Sequence, residues 1–470
     1  MSRPVVTRLH TRFAVVAFLL LSSAVLYRWL SSVAPPSDGN PLLFLPVWSI
    51  CFVPYFVACA YVRMSKPIAG RWRWAEPGVL LLGALIFRAI LLPLPPGLSR
   101  DAWRYLWDAR VVTHGYSPYV YAPGARVLEP LRNILFINCR FRNIPTDYPP
   151  GAEGIFLLAY LLDPRNLFGI KTVFLGFDMV TCVALVWLLA RRNLDPRMAV
   201  IYAWCPLPIV EFAIEGHLDV VAIAFMVAAV LSDTYSRPGS RVVTGFLIAM
   251  AVLTRLYPVL LLPLLLRRRD WSLLLTFLVT VCLGYLPFML LGHGQVLGFL
   301  TSYAGQQGGN AGIVQAIVRR AGTGLRLSAG STLHLEYAVD AALLVLMLTL
   351  VLLLRLRQRI SVETAILLLI GTVFAISSHV FPWYLTALLP WVAISVCSLS
   401  RDRWSIGAGV VTALAWWFAC TALLAYMENV MRLSTAPWWT AFFYSVIGLL
   451  VSVSMAGTIL LVYIPSTSNV

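Results

Sequence analysis

Hydrophobic positions in this chain gather into long runs and neither alternate with polar ones nor trace a single stripe. Apolar stretches of about 20 residues, each long enough to cross a hydrocarbon core of roughly 30 Å as a helix, recur from end to end. They lie near 13–32, 42–62, 77–96, 168–190, 198–213, 217–233, 241–254, 256–266, 271–292, 335–354, 362–379, 381–398, 405–426 and 437–463. The pattern predicts an all-α protein, a polytopic transmembrane helical bundle of about 14 crossings that forms one membrane domain over 1–470. Arg255 and Pro258 leave the two runs of 241–266 too short to span, which predicts a broken pair reaching only to mid-depth. Two polar stretches, about 97–167 and 293–334, are much longer than the others and predict loops that carry juxtamembrane helices. Neither a fixed-period repeat nor a heptad seam is visible.

Charge then assigns sides. Arg63, Lys66, Arg71 and Arg73; Arg191, Arg192 and Arg197; Arg237 and Arg241; Arg267, Arg268 and Arg269; Arg355, Arg357 and Arg359; and Arg401 and Arg403 all fall on alternate short loops. Positive residues mark the cytoplasmic side, so both termini are expected inside and the two long loops outside. The first run follows Arg3, Arg8 and Arg12 and contains Arg28, which fits a retained signal-anchor better than a cleaved leader.

Composition narrows the class. With 60% hydrophobic and only 12% charged residues, the 470-residue chain is excluded from ordinary soluble proteins. Its formal net charge of +16 does not point to nucleic acid, because the basic residues sit in loops where membrane anchoring explains them. Membrane lipids are the expected surroundings. Arginine supplies nearly all of that charge, Lys66 and Lys171 being the only lysines. The eight cysteines lie mostly in or beside apolar runs, Cys139 excepted, and give neither a disulfide framework nor zinc spacing. No Asp-x-Asp pair and no glycine-rich phosphate cradle is present, so neither a metal nor a cofactor is expected.

Candidate chemistry concentrates in the first long loop. Ser99 precedes Asp101-Ala102-Trp103-Arg104-Tyr105-Leu106-Trp107-Asp108-Ala109-Arg110, a helix start with a capping hydroxyl and a first-turn carboxylate. On that helix Asp101, Arg104, Tyr105 and Asp108 share one face, while Trp103, Trp107 and Arg110 form an aromatic face suited to the membrane surface. A turn at His114-Gly115-Tyr116-Ser117-Pro118-Tyr119 follows, and the loop returns through Thr146-Asp147-Tyr148-Pro149-Pro150-Gly151. Taken alone, Asp101 and Asp108 read first as charges that cap and salt-bridge a surface helix beside Arg104 and Arg110, as most such charges do.

In this order, Asp-x-x-Arg-Tyr-x-Trp-Asp-x-Arg, Gly-x-x-Pro-Tyr and Tyr-Pro-Pro-Gly, the motifs resemble those of the integral-membrane GT-C class glycosyltransferases. They are most like bacterial mannosyltransferase-like members that use a polyprenyl-phosphate sugar. The resemblance runs over about residues 75 to 400 and continues through Glu215-Gly216-His217-Leu218-Asp219, Thr254-Arg255-Leu256-Tyr257-Pro258 and His379-Val380-Phe381-Pro382-Trp383-Tyr384. Many such proteins carry lysine where this chain has Arg255, a change that keeps a cation and alters its phosphate geometry.

The resemblance implies an inverting hexosyltransferase whose catalytic carboxylate is Asp101. A sugar hydroxyl that attacks an anomeric carbon must lose a proton, and a carboxylate within reach is a suitable base. The departing phosphate needs cations, for which Arg255, His217, Arg104, Arg319 and Arg320 are the candidates. Tyr105, Asp108, Tyr148, Glu215, Asp219, His379, Trp383 and Tyr384 are the candidate substrate contacts. The expected partners are a polyprenyl-phosphate sugar donor, with mannose as the hexose, and a lipid or glycan acceptor at the outer face. A transporter or flippase of a lipid-linked glycan is the rival, since it too would place Arg and His residues within the membrane.

Overall fold

The computed structural model describes residues 3–33, 41–68, 70–298, 313–377, 380–398, 403–426 and 455–463, and within them every regular element is a helix. The apolar runs become α1 (Arg3–Val33), α2 (Pro41–Ile50), α3 (Phe52–Met64) and α4 (Ala75–Leu91). In the first long loop lie α5 (Asp101–Thr113), α6 (Ile134–Asn138) and α7 (Pro150–Leu162). The bundle resumes with α8 (Phe168–Arg191), α9 (Val200–Ala203), α10 (Pro206–Ala213), α11 (Asp219–Asp233), α12 (Ser240–Val252), α13 (Leu261–Leu265) and α14 (Trp271–Leu291). Then follow α15 (Ile313–Gly324), α16 (Ala329–Leu356), α17 (Val362–Ile376), α18 (Pro382–Leu385), α19 (Leu389–Ser398), α20 (Arg403–Thr421) and α21 (455–463).

Six of the described helical stretches are long and apolar enough to cross a membrane: Thr11–Val33, Leu43–Met64, Phe168–Arg191, Trp271–Leu291, Ala329–Leu356 and Ile406–Tyr426. At about 1.5 Å per residue, a helix the length of α14 covers roughly the 30 Å hydrocarbon core. α14 and α16 turn Leu275, Leu283, Leu290, Val345, Leu346 and Leu356 outward, an apolar exterior that suits lipid and not water. Shorter apolar helices fill other positions where the hydrophobic runs predict crossings, among them α12, α17 and the stretch Pro382–Ser398. The last predicted run, 437–463, lies mainly outside the described residues. At 241–266 the chain is indeed interrupted: α12 ends at Val252, and a single 3₁₀ turn at Tyr257–Leu260 leads into α13.

The buried centre is built from α4, α8, α10 and α11. The indole of Trp204 donates to the Leu80 carbonyl at 2.7 Å, tying the α9–α10 junction to α4. Inside this core the Arg88 guanidinium pairs with Asp178 at 2.5 Å and donates to the Ala203 carbonyl at 2.7 Å, while the Tyr202 hydroxyl donates to the other Asp178 oxygen at 2.7 Å. Arg88 and Asp178 are both fully buried, so the pair is an enclosed fastening between α4 and α8 and does not line an open path.

The ion pairs at one end of the bundle join only the basic short loops and their neighbours. Glu76 sits between Arg12 (3.0 Å) and Arg197 (2.9 Å), Arg192 meets Glu363 (3.1 Å), and Arg241 bridges Asp233 and Asp270. All of these residues belong to the same set of alternate loops and helix ends, as the charge pattern requires. The long first loop, the 214–218 connection, the 253–256 break and the start of α18 belong to the other set.

Candidate active site

α5 begins where the sequence places it. Asp101 is its first residue and lies half-buried, and its backbone N–H is received by the Ser99 hydroxyl at 3.2 Å. The approach to that helix is fixed from α10's side of the bundle. One oxygen of Glu215 accepts from the backbone N–H groups of Gly97 (3.2 Å), Leu98 (3.0 Å) and Ser99 (2.9 Å). Three successive amides converging on one carboxylate form an anion-binding nest. Gly216, at φ +69°, makes the turn that aims Glu215 there, a backbone conformation that glycine adopts without strain. Lys171 adds a second clamp by donating to the Leu94 carbonyl. Burial, then the charge of Glu211, push the Glu215 carboxyl up to about 7 against the pull of His217 and the amides.

The loop folds its own small core over α5. Trp107 is fully buried and packs against Phe136 of α6 at 5.3 Å, and Arg110 donates to the Leu131 carbonyl (2.9 Å) and the Tyr160 hydroxyl (3.0 Å). This corrects the expected membrane-surface aromatic face. Leu128, Leu131 and Leu135 close over the helix and take the place of lipid against Trp107.

The opposite face of α5 divides. Arg104 donates through Nε to both oxygens of Asp108, at 2.8 and 2.7 Å, and a third bond runs from Nη1 to the Phe141 carbonyl at 3.3 Å. Arg104 and Asp108 are therefore paired with each other at 7% and 1% exposure, while the buried Nη2 of Arg104 has no hydrogen-bond partner among the described residues. Burial pushes the Asp108 carboxyl up to about 6 despite the adjacent guanidinium. Tyr105, one residue on, stacks on Phe156 of α7 at 4.3 Å and meets the Tyr148 ring edge-on at 5.2 Å.

Tyr148-Pro149-Pro150-Gly151 has a local physical reason. Pro150 opens α7 at a position that needs no N–H, and the Ala152 N–H donates to the Leu253 carbonyl at 3.1 Å. A Cβ on Gly151 would lie 2.8 Å from that carbonyl oxygen and 2.7 Å from the Leu253 Cβ, so only glycine permits the contact. The Thr146 N–H donates to the Pro118 carbonyl at 3.0 Å and the Tyr119 hydroxyl to the Tyr148 carbonyl at 2.7 Å, which joins the two loop motifs. Gly151→Ala is therefore expected to lower the thermal midpoint by several degrees, for an overpacking cost of about 1–3 kcal/mol. Gly154→Ala, whose Cβ meets nothing within 4 Å, serves as the matched control and is expected to leave it unchanged. Equal midpoints for the two variants would show that α7 does not depend on this contact.

That docking brings Tyr148 onto Arg255. The guanidinium lies 5.5 Å from the Tyr148 ring and 5.3 Å from the Tyr384 ring, and Nη2 donates to Asp219 at 2.7 Å. Asp219 is fully buried at the start of α11, where its charge also suits the helix terminus. The Arg255 side chain keeps 15% of its surface exposed, and its Nε has no hydrogen-bond partner among the described residues. A largely buried cation with two aromatic faces and a donor to spare has the chemistry to receive an anion.

Two residues before Asp219, His217 is fully buried and stacks on Trp383 at 3.8 Å, nearly parallel at 18°. Trp383 in turn stacks on Phe381 at 4.6 Å and meets Tyr384 edge-on at 6.0 Å. The half-buried Asp101 acts electrostatically on this group as well. Burial pushes the Tyr105 and Tyr148 phenols well up, Asp101 pushes them further, and Arg255 opposes. The structure thus brings together Asp101, Tyr105, Tyr148, His217, Asp219, Arg255, Trp383 and Tyr384. Arg319 is engaged with Glu336 (2.9 Å) and Gln315 (3.0 Å) within the α15–α16 hairpin, and Arg320 is exposed on the same helix. Neither lies on the elements that build the cluster. His379 falls outside the described residues.

Three groups in or beside the cluster were not singled out from the sequence. Asp147 carries a carboxyl that burial pushes up while Arg104 and Arg255 pull it down. Tyr257 has a buried hydroxyl without a partner among the described residues. Glu211 is fully buried beside His217. The readable signal for Glu211 was a lone acid inside the apolar run 198–213, costly in a membrane unless it is paired.

None of the curated proteins compared with the chain matches it. Two solved structures are similar in arrangement: ArnT from Cupriavidus metallidurans bound to undecaprenyl phosphate, and ArnT from the same organism in the apo state. The first is 15% identical with a TM-score of 0.44, covering 84% of this chain and 77% of that one. The second is 16% identical with a TM-score of 0.39, covering 82% and 76%. Residues 146–382, just over half of the chain and including Tyr148, His217, Asp219 and Arg255, match the family described as Glycosyltransferase family 87. A helical multi-pass membrane protein with this match over its central bundle is a member of glycosyltransferase family 87.

Proposed function

We propose that this chain is an inverting hexosyltransferase that moves a sugar, mannose in our reading, from a polyprenyl phosphate to a lipid or glycan acceptor at the outer face of the membrane. Its termini are cytoplasmic, and the long loops 97–167 and 293–334 face outward. One observation supports this most directly: the partly open cation Arg255 lies 5.5 Å from the Tyr148 ring, Tyr148 meets Tyr105 edge-on at 5.2 Å, and Tyr105 stands one helical turn from the half-buried carboxylate of Asp101. The acceptor hydroxyl gives its proton to Asp101 as its oxygen bonds to the anomeric carbon. The bond from that carbon to the phosphate oxygen breaks, the electron pair stays on the phosphate, and Arg255 with His217 receives the negative charge. A single displacement inverts the anomeric centre. Tyr148, Tyr384 and Trp383 offer faces for the sugar ring or the lipid head.

A pure transport role is disfavoured by placement. Transport needs polar groups along a path through both halves, whereas this cluster gathers at one end of the bundle and the buried pair Arg88 with Asp178 is sealed. The purified protein in detergent, given a radiolabelled hexose on polyprenyl phosphate and candidate acceptors, is expected to transfer the sugar without vesicles. Absence of transfer in micelles together with lipid-glycan movement in sealed vesicles would reverse the reading.

A further inference from the structure

Behind the cluster lies a buried chain of polar groups that the proposed displacement does not use. The Tyr426 hydroxyl, on the 3₁₀ turn Ala422–Tyr426 that follows α20, donates to both oxygens of Glu211 on α10, at 3.1 and 3.2 Å. Oε2 of the same carboxylate lies 2.9 Å from Nδ1 of His217. Glu211 and His217 are fully buried and Tyr426 nearly so. An unpaired carboxylate in such a place is strongly disfavoured, so its presence calls for a task. The imidazole has little freedom, since Glu211 pins one edge and Trp383 covers its face. Nδ1 has this close ionic contact with Glu211 and makes no hydrogen bond of full geometry, and at the other edge Nε2 is buried with no hydrogen-bond partner among the described residues.

We infer that Glu211 is a positioning residue, itself held by Tyr426, that grips His217 through Nδ1 and so presents the Nε2–H as a donor to the departing phosphate. The inference rests on the reading of this site as one for a polyprenyl phosphate. It follows from the two nitrogens of one ring: the group that fixes Nδ1 fixes the tautomer and direction of Nε2. Charge favours the same arrangement. Burial pushes the His217 imidazole down, but Glu211, Asp101 and Glu215 outweigh it and hold the ring above the ordinary histidine range.

The test uses full-length protein in detergent with ¹⁵N-labelled histidine, the His217 signals being those lost in His217→Asn, and undecaprenyl phosphate as the probe. In the wild type, His217 is expected to titrate above about 6.5 and its Nε2 signal to move on addition of the probe. Glu211→Gln keeps the shape and removes the negative charge. It should lower the His217 titration by about one unit or more and weaken probe binding about tenfold. Tyr426→Phe removes a single hydrogen bond, is the milder variant should Glu211→Gln fold poorly, and should shift the titration in the same direction by less. If the probe binds in a manner that Arg255→Ala abolishes, yet His217 neither responds to it nor shifts in either variant, the inference is overturned while the donor reading stands. If the wild type does not bind the probe at all, both fall.

Discussion

Asp101→Asn is expected to leave donor binding nearly intact and to lower sugar transfer by about 100-fold or more. Asparagine keeps the shape of the side chain and most of its hydrogen-bonding capacity but cannot take the acceptor's proton. The backbone around it should not move, because the start of α5 is held by main-chain groups: the Ser99 hydroxyl takes the Asp101 N–H, and Glu215 takes the three amides before it. Asp108→Asn is the discriminating control. Its carboxylate is buried and doubly bonded to Arg104, so the variant leaves a buried guanidinium without its counter-ion at a cost of about 3–5 kcal/mol. That loss should appear as a lowered thermal midpoint, with the surviving folded fraction still turning over. Near-normal transfer by a folded Asp101→Asn protein, with transfer abolished in a folded Asp108→Asn protein, would move the base to Asp108. Full activity in both would remove the loop from the chemistry.

Arg255→Ala is expected to raise the KM for the lipid-linked donor about 30-fold or more, corresponding to roughly 2 kcal/mol for a charge-assisted contact. Arg255→Lys should recover part of this, because the charge remains while the planar fork that serves Asp219 and a phosphate together is lost. The Asp219 pairing provides the control, since a purely structural Arg255 would be mimicked by removing its partner. Asp219→Asn leaves the cation in place, so it should disturb stability more than donor KM. Equal effects of Asp219→Asn and Arg255→Ala on donor KM would reduce Arg255 to a fastening of α11.

What the sequence determined about this protein is local and additive. An apolar run of 20 residues is a spanning helix in any arrangement of its neighbours, because lipid leaves the backbone no other way to satisfy its hydrogen bonds. The alternation of arginines is likewise written along the chain, and so are the start of α5 at Ser99 and Asp101 and the break at Arg255. Which way a side chain faces was not. Spacing placed Arg104 and Asp108 on one surface of α5 with Asp101. Only the return of residues 126–147 over that surface turned the pair inward, and only the closing of α6 on Trp107 replaced lipid with protein. Arg255, His217 and Asp101 lie over a hundred residues apart at the extremes, and a docking contact that depends on Gly151 decides whether Tyr148 reaches Arg255. Glu211 was hidden for the same reason. A buried carboxylate is tolerable only beside the partners that the fold supplies, and one of them, Tyr426, comes from 215 residues further along the chain.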